Sequence, residues 1–564
     1  MDRIWLDAYP PGVPADIAVP PNITLREVFE ESCRRFAGHR AFSNLGGVLT
    51  YEELDRSSAA FAAWLQREAG LQPGDRVALM MPNILQYPVA LFGALRAGLV
   101  AVNVNPLYTA RELAAQLNDS GARAIVILEN FAHSLETVYR DSALETIVVT
   151  SLGDLLPGPR RLLVNAVVRY VRRAVPAWRI PDAIPLRDAL TAGAGREPER
   201  VPMDPRDPAF LQYTGGTTGT AKGAILSHRN MIANLEQASA WLRGHLSEGE
   251  EVVLTALPLY HIFSLLANCL LFMRIGGENV LVTNPRDLPA LVKTLQATRP
   301  TAMTGVNTLF NALLNTPSFD HLNFDRLKLT LGGGMAVQRG VAERWHAVTG
   351  HPIVEAYGLT ETSPAVCVNP LDIPDYTGSI GLPLPSTEVS IRDEHGTELP
   401  PGEVGELCVR GPQVTSGYWQ QHEATQRAFH ADDFFRTGDL ARIGERGFVY
   451  IVDRLKDMAI VSGFNVYPNE VEEVLISHPD VAEAAVIGVP DERQGERLRA
   501  FVVPRGPGLT AETLISHCRQ SLTGYKVPQD IVFRDELPKT NVGKILRRAL
   551  REPAGGGDDA GEAS

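Results

Sequence analysis

Between residues 50 and 128, capped helices and buried-strand patterns take turns, and this alternation narrows the accessible folds more than any other feature. Thr50 and Glu53 in T-Y-E-E form a capping box, in which each end of the motif satisfies a backbone N–H of the other. The helix it opens places Leu54, Phe61 and Leu65 on one face and stops at Gly70. Residues 76–81 (RVALMM) and 99–104 (LVAVNV) are apolar enough to be strands buried on both faces. Thr109 and Glu112 form a second box, starting a helix that runs through Leu117 and ends near Gly121, and residues 125–128 make a further strand. Strands and helices alternating at this spacing predict an α/β class, a large domain of layered α/β subdomains with a largely parallel sheet.

The pattern continues beyond residue 200. Strands are expected at 252–257, 279–283, 328–331 and 352–355, with helices at about 230–242 and 285–297, the latter with Pro285 near its first turn. From about Ser386 the texture changes. Short strands at 387–392, 404–410 and 447–452, separated by Pro- and Gly-rich turns, predict a small antiparallel or β-barrel-like subdomain. Residues 453–457 (DRLKD) form a charged bridge to a small α+β unit, with a helix opened by Pro468 and strands at 482–489, 500–503 and 531–533. The organisation expected is a domain over 1–452, a bridge over 453–457, a small C-terminal domain over 458–552, and a polar, disordered tail over 553–564.

A chain of 564 residues is too long for one core. Its net charge of −13 provides no global basic field, so nucleic acid is not an expected partner. The five cysteines, Cys33, Cys269, Cys367, Cys408 and Cys518, form no CxxC pair, which argues against a zinc site or disulfide framework and fits a reducing cytoplasm. The N-terminus, MDRIWLDAYPPGVPAD, reads as no signal peptide. The apolar stretch 257–273 is broken by Pro258, His261 and Asn268 and is too short to span a bilayer, so a soluble or surface-bound protein is expected. Residues 160–180 (RRLLVNAVVRYVRRAVPAWRI) hold six arginines and no acid. On a helical wheel Arg161, Asn165, Arg169, Arg172 and Arg173 fall on one side. Leu163, Val164, Val167, Val168, Tyr170, Val171 and Val175 fall on the other. A basic amphipathic helix in an acidic protein suggests attachment to a membrane surface; an ordinary surface helix packed on its own domain is the alternative.

The stretch YTGGTTGTAKGAILSH (residues 213–228) holds Gly215, Gly216, Gly219 and Gly223 among Thr214, Thr217, Thr218 and Thr220, with Lys222 near its end. Glycines let backbone N–H groups turn toward one anion, hydroxyls add donors, and a lysine supplies a point charge suited to phosphate. Ala221 precedes the lysine and Gly223 follows it, so this is not the Gly-x-x-x-x-Gly-Lys-Ser/Thr loop. The chemistry implied is a loop closing over polyphosphate; the plainer reading is a flexible polar surface loop.

Four stretches in order, YTGGTTGTAKG, AYGLTET, TGDLARIGERGFVYIVDRLKD and PKTNVGKILRR, jointly resemble the adenylate-forming superfamily of acyl-CoA synthetases, peptide-synthetase adenylation domains and luciferases. The resemblance covers about residues 25–550. NPLYTARELAAQLNDSGARAIVI, TGVNTLFNALLN, SGFNVYPNEVEEV and LTGYKVP are most similar to bacterial long-chain fatty-acid–CoA ligases. It implies a two-step reaction: a carboxylate attacks the α-phosphorus of ATP to give acyl-AMP and pyrophosphate, then the thiol of coenzyme A displaces AMP. It also implies a small mobile lid domain turning about a hinge at 453–457.

The resemblance assigns roles as follows. Lys544, in NVGKILRR, would bridge carboxylate and α-phosphate. Lys222 and the loop from Tyr213 to Gly223 would hold the β- and γ-phosphates. Glu361, in GLTET, would be the carboxylate for Mg2+, with Thr217 a hydroxyl contact. Tyr357 would stack on adenine beside Gly358, the backbone at Gly332, Gly333 and Gly334 would approach the ring, and Thr360 would reach the α-phosphate. Asp439, in RTGDL, would accept from the ribose hydroxyls, with Arg454 adding a charged contact. His261, in PLYHIF, would line the acyl-carboxylate end of the pocket; a core histidine satisfied by backbone is its rival. Lys456 matches the hinge position, and Gly463 would let pantetheine pass. Two departures stand out: ADDFFR before Thr437, where the family often has an Asp-Gly-Trp-like turn, and Ala459 where a larger aliphatic residue is common.

The activity expected is a long-chain fatty-acid–CoA ligase using ATP, Mg2+ and coenzyme A, cytoplasmic and peripheral at the inner membrane face, with a homodimer allowed. The apolar stretches 231–242, 260–273 and 304–314 could line an acyl tunnel or equally be core. Alternatives are a ligase for medium-chain or aryl acids, an acyl-AMP ligase loading a carrier protein and, from another class, a silent fatty-acid- or nucleotide-binding protein.

Overall fold

The computed structural model describes residues 3–214, 221–491, 493–540 and 543–551. The chain forms two compact units: Met1–Val389 with Val409–Arg436 and Arg446–Phe448, and Ser390–Cys408 with Thr437–Glu445 and Val449–Ser564.

The first unit is built on two sheets. The seven-stranded sheet has the order Ile184–Pro185, Thr146–Thr150, Ala124–Leu128, Arg76–Met80, Val100–Asn103, Pro208–Thr214, Lys222–Ser227. Its strands are parallel except for the last pair, Pro208–Thr214 and Lys222–Ser227, an antiparallel hairpin with Thr214 opposite Lys222. The nine-stranded sheet runs parallel through Glu278–Leu281, Val252–Thr255, Ala302–Gly305, Leu329–Gly332 and Ile353–Gly358 and turns antiparallel toward Ala365–Val368. Asn83 joins the sheets. It follows the strand Arg76–Met80, yet its Nδ2 donates to the carbonyls of Thr255 and Leu257 (both 2.9 Å) and its Oδ1 accepts from Leu259 N (2.8 Å).

The capping boxes form as their spacing predicts. Thr50 N donates to Glu53 Oε2 (2.9 Å) while Glu53 N donates to Thr50 Oγ1 (3.2 Å), opening the helix Tyr51–Arg67. That helix buries Leu54, Phe61 and Leu65 completely, each worth about 1.5–3 kcal/mol. The box at Thr109 and Glu112 opens Ala110–Ser120, closed by Gly121 in the left-handed conformation. One helix starts later than expected. It spans Leu288–Thr298, because the Asp287 carboxylate accepts from Ala290 N (3.1 Å) and so sets the first turn beyond Pro285. The apolar stretch 257–273 folds inward as Ile262–Ser264, a π-helical turn Leu265–Leu270, and Leu271–Arg274, nearly all of it buried. Among the described residues no helix is long and apolar enough to cross a membrane.

The basic segment differs from its helical-wheel reading. It is an α-helix Gly158–Ala166 continued by a π-helical turn Val167–Val171, ending well before residue 180. Its two faces are also mixed rather than cleanly split: Val164, Val167 and Val168 are half-buried and Arg172 and Arg173 exposed, as the wheel has them, but other residues depart from it. Asn165 turns inward to accept from Gly153 N (2.7 Å) and donate to Asp154 Oδ1 (3.1 Å), and Arg169 pairs with the buried Glu129 carboxylate. Leu162, Leu163, Tyr170 and Val171 are left 64–74% exposed.

In the second unit, strands Phe435–Ile443 and Val449–Arg454 pair antiparallel, with Asp439 opposite Arg454. A five-stranded sheet follows: Phe464–Val466, Ala459–Val461, Gly495–Pro504 and Val481–Asp491 in order, with Asp530–Phe533 parallel to Gly495–Pro504. Helices Pro468–Ile476 and Ala511–Ser521 supply Val471, Leu475, Leu514 and Cys518 to its core. Ala459 abuts Gly488, where a Cβ would lie 2.9 Å from the alanine's own, so the space a larger aliphatic would need is absent. In the first unit the turn ADDFFR holds Asp433 in the left-handed conformation (φ +65°), the position a glycine takes in an Asp-Gly-Trp turn. All five cysteines are buried and none is in a disulfide.

Candidate active site

In the first unit the expected site residues gather at strand ends. Residues 215–220, and with them Gly215, Gly216, Thr217, Thr218, Gly219 and Thr220, lie outside the described residues. The flanks are defined. The Tyr213 hydroxyl donates to Asp119 Oδ2 (2.5 Å) and so anchors the base of the hairpin; burial and this bond hold its phenol protonated. Thr214 and Lys222 face each other across the hairpin. One residue earlier, Gln212 donates from Nε2 to the carbonyl of Tyr260 (2.8 Å), tying the loop's entry strand to the segment carrying His261.

His261 caps the short helix Ile262–Ser264, its Nδ1 accepting from Phe263 N at 3.4 Å. It is half-buried, and this backbone contact is the one a satisfied core histidine would make. Phe263 reaches the triple glycine. A Cβ on Gly333 would meet Ala356 O at 3.0 Å and the Phe263 ring at 3.2 Å, and Gly334 takes φ +76°. The stretches PLYHIF, LGGG and AYG therefore meet in one place. Gly332 ends its strand opposite Glu355 and packs on Ile353 and Val337.

Tyr357 and Gly358 lie on the strand Ile353–Gly358, which runs further than residue 355 because Ala365–Val368 folds back on it. Thr360 and Glu361 form the turn Thr360–Thr362 directly after it. Glu361 is half-buried, and its Oε1 accepts from the Tyr418 hydroxyl (2.8 Å). Lys222 sits with Nζ 5.1 Å from the centroid of the same tyrosine ring. One carboxylate presented this way fits Mg2+, which keeps most of its waters and takes few protein ligands.

In the second unit Asp439, Arg454, Lys456 and Lys544 form one electrostatic cluster. Asp439 is buried, its N–H donates to Thr437 Oγ1 (3.1 Å), and Arg454 Nε lies 3.5 Å from its Oδ1. Lys544 is tied to Thr540 by two bonds: Thr540 N donates to Lys544 O (2.6 Å) and Lys544 N to Thr540 Oγ1 (3.0 Å). Burial and the neighbouring Arg454 cation lower its pKa to about 7, opposed by Asp439. Lys456 is lowered to about 8, again by burial first and Arg454 second. A lysine whose charge is this costly gains most from an incoming anion. Gly463 lies in the exposed hairpin turn between Ala459–Val461 and Phe464–Val466 with φ +81°.

Three residues escape sequence reasoning. Arg547, three positions after Lys544, bonds Glu472 through Nε (3.0 Å) and Nη2 (2.7 Å), lies 3.4 Å from Asp457, and reaches Asn469. It thereby ties the Lys544 segment to the bridge DRLKD, and it opposes the burial that raises the pKa values of Glu472 and Asp453. In the sequence it is one arginine of the basic run KILRRALR. Glu355 is a buried acid whose pKa burial pushes up to about 8, against a hydrogen bond from the Val337 backbone. Tyr418 has one weak signal, two adjacent aromatics after Gly417 in a turn-rich region.

A model of the AMP-binding enzyme family matches residues 29–419, and one of the AMP-binding enzyme C-terminal domain matches residues 470–544. The chain belongs to the AMP-binding enzyme family. More particularly, it is 56% identical over 556 residues to a long-chain-fatty-acid–CoA ligase of Escherichia coli O6:H1, covering 99% of each chain. It is 50% identical to a long-chain-fatty-acid–CoA ligase of Haemophilus influenzae, covering 98% of each. Among solved structures, ATP-bound MatB from Rhodopseudomonas palustris aligns with a TM-score of 0.81 at 29% identity, over 94% of this chain and 98% of that one.

Proposed function

We propose that the chain is an ATP-dependent long-chain fatty-acid–CoA ligase, forming acyl-AMP and pyrophosphate and then acyl-CoA and AMP. The observation that carries this reading is end-to-end identity of 50–56% with long-chain ligases, together with both family domains in order. A long chain is a reasonable source of affinity: each buried CH₂ contributes about 0.8 kcal/mol.

In this reading Lys544 draws the fatty carboxylate and the α-phosphate together and stabilises the charge building there. Lys222 and the loop from Tyr213 to Gly223 hold the departing pyrophosphate. Glu361, with Thr217, would hold Mg2+, which when bound neutralises phosphate charge. Asp439 accepts from the ribose hydroxyls beside Arg454, Tyr357 stacks on adenine near Gly332, Gly333, Gly334 and Gly358, and Thr360 reaches the α-phosphate. His261 lines the acyl-carboxylate end. Rotation about Lys456 brings Gly463 to the thiol path for the second step. The test is a panel of fatty and aryl acids assayed for AMP and acyl-CoA together. Equal yields of both products, rising with chain length, are expected. AMP or pyrophosphate without acyl-CoA would instead indicate transfer to a carrier protein, and preference for aryl acids would overturn the long-chain assignment.

A membrane-surface role is favoured by one feature: the exposed Leu162, Leu163, Tyr170 and Val171 share one short segment with Arg160, Arg172 and Arg173 in a protein of net charge −13. The apolar residues would enter the headgroup boundary while the arginines meet anionic lipid. In this reading the enzyme works in the cytoplasm against the inner membrane face, where its substrate partitions.

A further inference from the structure

Residues 415–419 (TSGYW) cross between two stretches far apart in the chain. On one side they bond the strand that follows the glycine-threonine loop. Thr415 Oγ1 donates to Ile225 O (2.6 Å), Ile225 N to Gly417 O (3.0 Å), and Trp419 N to Gly223 O (2.8 Å). On the other side they bond the Glu361 turn, with Thr415 N donating to Glu361 O (2.7 Å) and the Tyr418 hydroxyl to Glu361 Oε1 (2.8 Å). The strap is itself braced. Asn230 Nδ2 donates to Pro412 O and Val414 O (2.8 and 2.9 Å), and Tyr418 N to Thr425 Oγ1 (2.9 Å). Gly417 has φ +142°, and a Cβ there would lie 2.4 Å from Thr425 Cγ2.

Tyr418 thus touches both charged groups assigned to the polyphosphate. Its hydroxyl serves the Glu361 carboxylate and its ring face serves the Lys222 ammonium, whose Nζ is 5.1 Å from the centroid. A lysine and a glutamate flanking one phosphate site tend to satisfy each other when that site is empty. A tyrosine gives each a different partner, one through a charge-assisted hydrogen bond and one through the ring quadrupole.

We infer that Tyr418 is a positioning residue, set by the strap 415–419, that holds Glu361 and Lys222 apart and pre-aimed for a magnesium-bound triphosphate. The inference rests on the ligase reading. It is tested by equilibrium titration of ATP into the full-length protein at a series of Mg2+ concentrations, with Tyr418→Phe and Tyr418→Leu beside the wild type. Thermal unfolding serves as the folding control. Tyr418→Phe keeps the ring and loses only the bond to Glu361. It is expected to need roughly tenfold more Mg2+ for half-maximal ATP binding, the scale of one charge-assisted hydrogen bond, while metal-free ATP binds as in the wild type. Tyr418→Leu is expected to weaken metal-free ATP as well, because Lys222 loses its seat. An unchanged Mg2+ dependence in Tyr418→Phe, with normal unfolding, would overturn the role. If the wild type bound no ATP, both the ligase reading and the inference built on it would fall.

Discussion

Lys544 illustrates what a single residue's surroundings dictate. At a pKa of about 7 it is largely neutral at pH 8 in the nucleotide-free protein. An anion arriving beside it favours the ammonium and raises that pKa, so the site must take up a proton. ATP binding at pH 8 is therefore expected to be accompanied by proton uptake, read by calorimetry in buffers of different ionisation enthalpy. At pH 6 the uptake should vanish, because the lysine is already charged. Lys544→Arg, charged throughout, should leave only the share contributed by Lys456. Lysines of this kind were legible in the sequence because their motifs are sparse and specific. Tyr418, Glu355 and Arg547 were not, since what distinguishes them is a partner well beyond the local sequence window: Glu361, Val337 and Glu472 respectively.

Among the elements, the helix Gly158–Ala166 and its continuation show where periodicity stops informing. A helical wheel separates two faces, but which one packs depends on what the rest of the fold offers. Here Glu129 and Gly153 draw Arg169 and Asn165 inward and leave the leucines outside. Binding to lipid vesicles tests the membrane reading. Leu162→Ser with Leu163→Ser should lose most sedimentation with anionic vesicles at unchanged thermal stability, and Arg172→Gln with Arg173→Gln should also weaken it and make what remains less salt-sensitive. Undiminished sedimentation of both variants would remove the membrane role. The segment after Lys544 makes a different prediction. Arg547→Ala would leave Glu472 and Asp453 without their cation and Asp457 with Arg551 in its place, costing about 3–5 kcal/mol and lowering the thermal midpoint. Arg547→Lys should restore only part of it, because a lysine cannot span the fork geometry. By contrast the capping boxes at Thr50 and Thr109 were readable outright, since both halves of each interaction lie within four residues.

At the scale of the whole molecule, the α/β alternation and the change of texture near Ser386 were visible because each strand announces its own burial. The order of strands was not. Residues 40–50 join the nine-stranded sheet beside Glu278–Leu281, a pairing across more than two hundred positions that no local pattern encodes. Asn83, a single polar side chain in an apolar run, links that sheet to its neighbour and could have been taken for a turn residue.

The burial of every cysteine has a practical consequence. Their exposures run from 0 to 4%, and burial raises the thiol pKa values of Cys33, Cys269 and Cys367 well above the usual range and that of Cys518 to about 11. Thiolate is the reactive form, so the native protein presents almost none of it to solvent. A disulfide reagent added to a reaction mixture would then report the sulfhydryl of coenzyme A against a silent protein background. The second half-reaction could be followed by the disappearance of that one chromogenic signal.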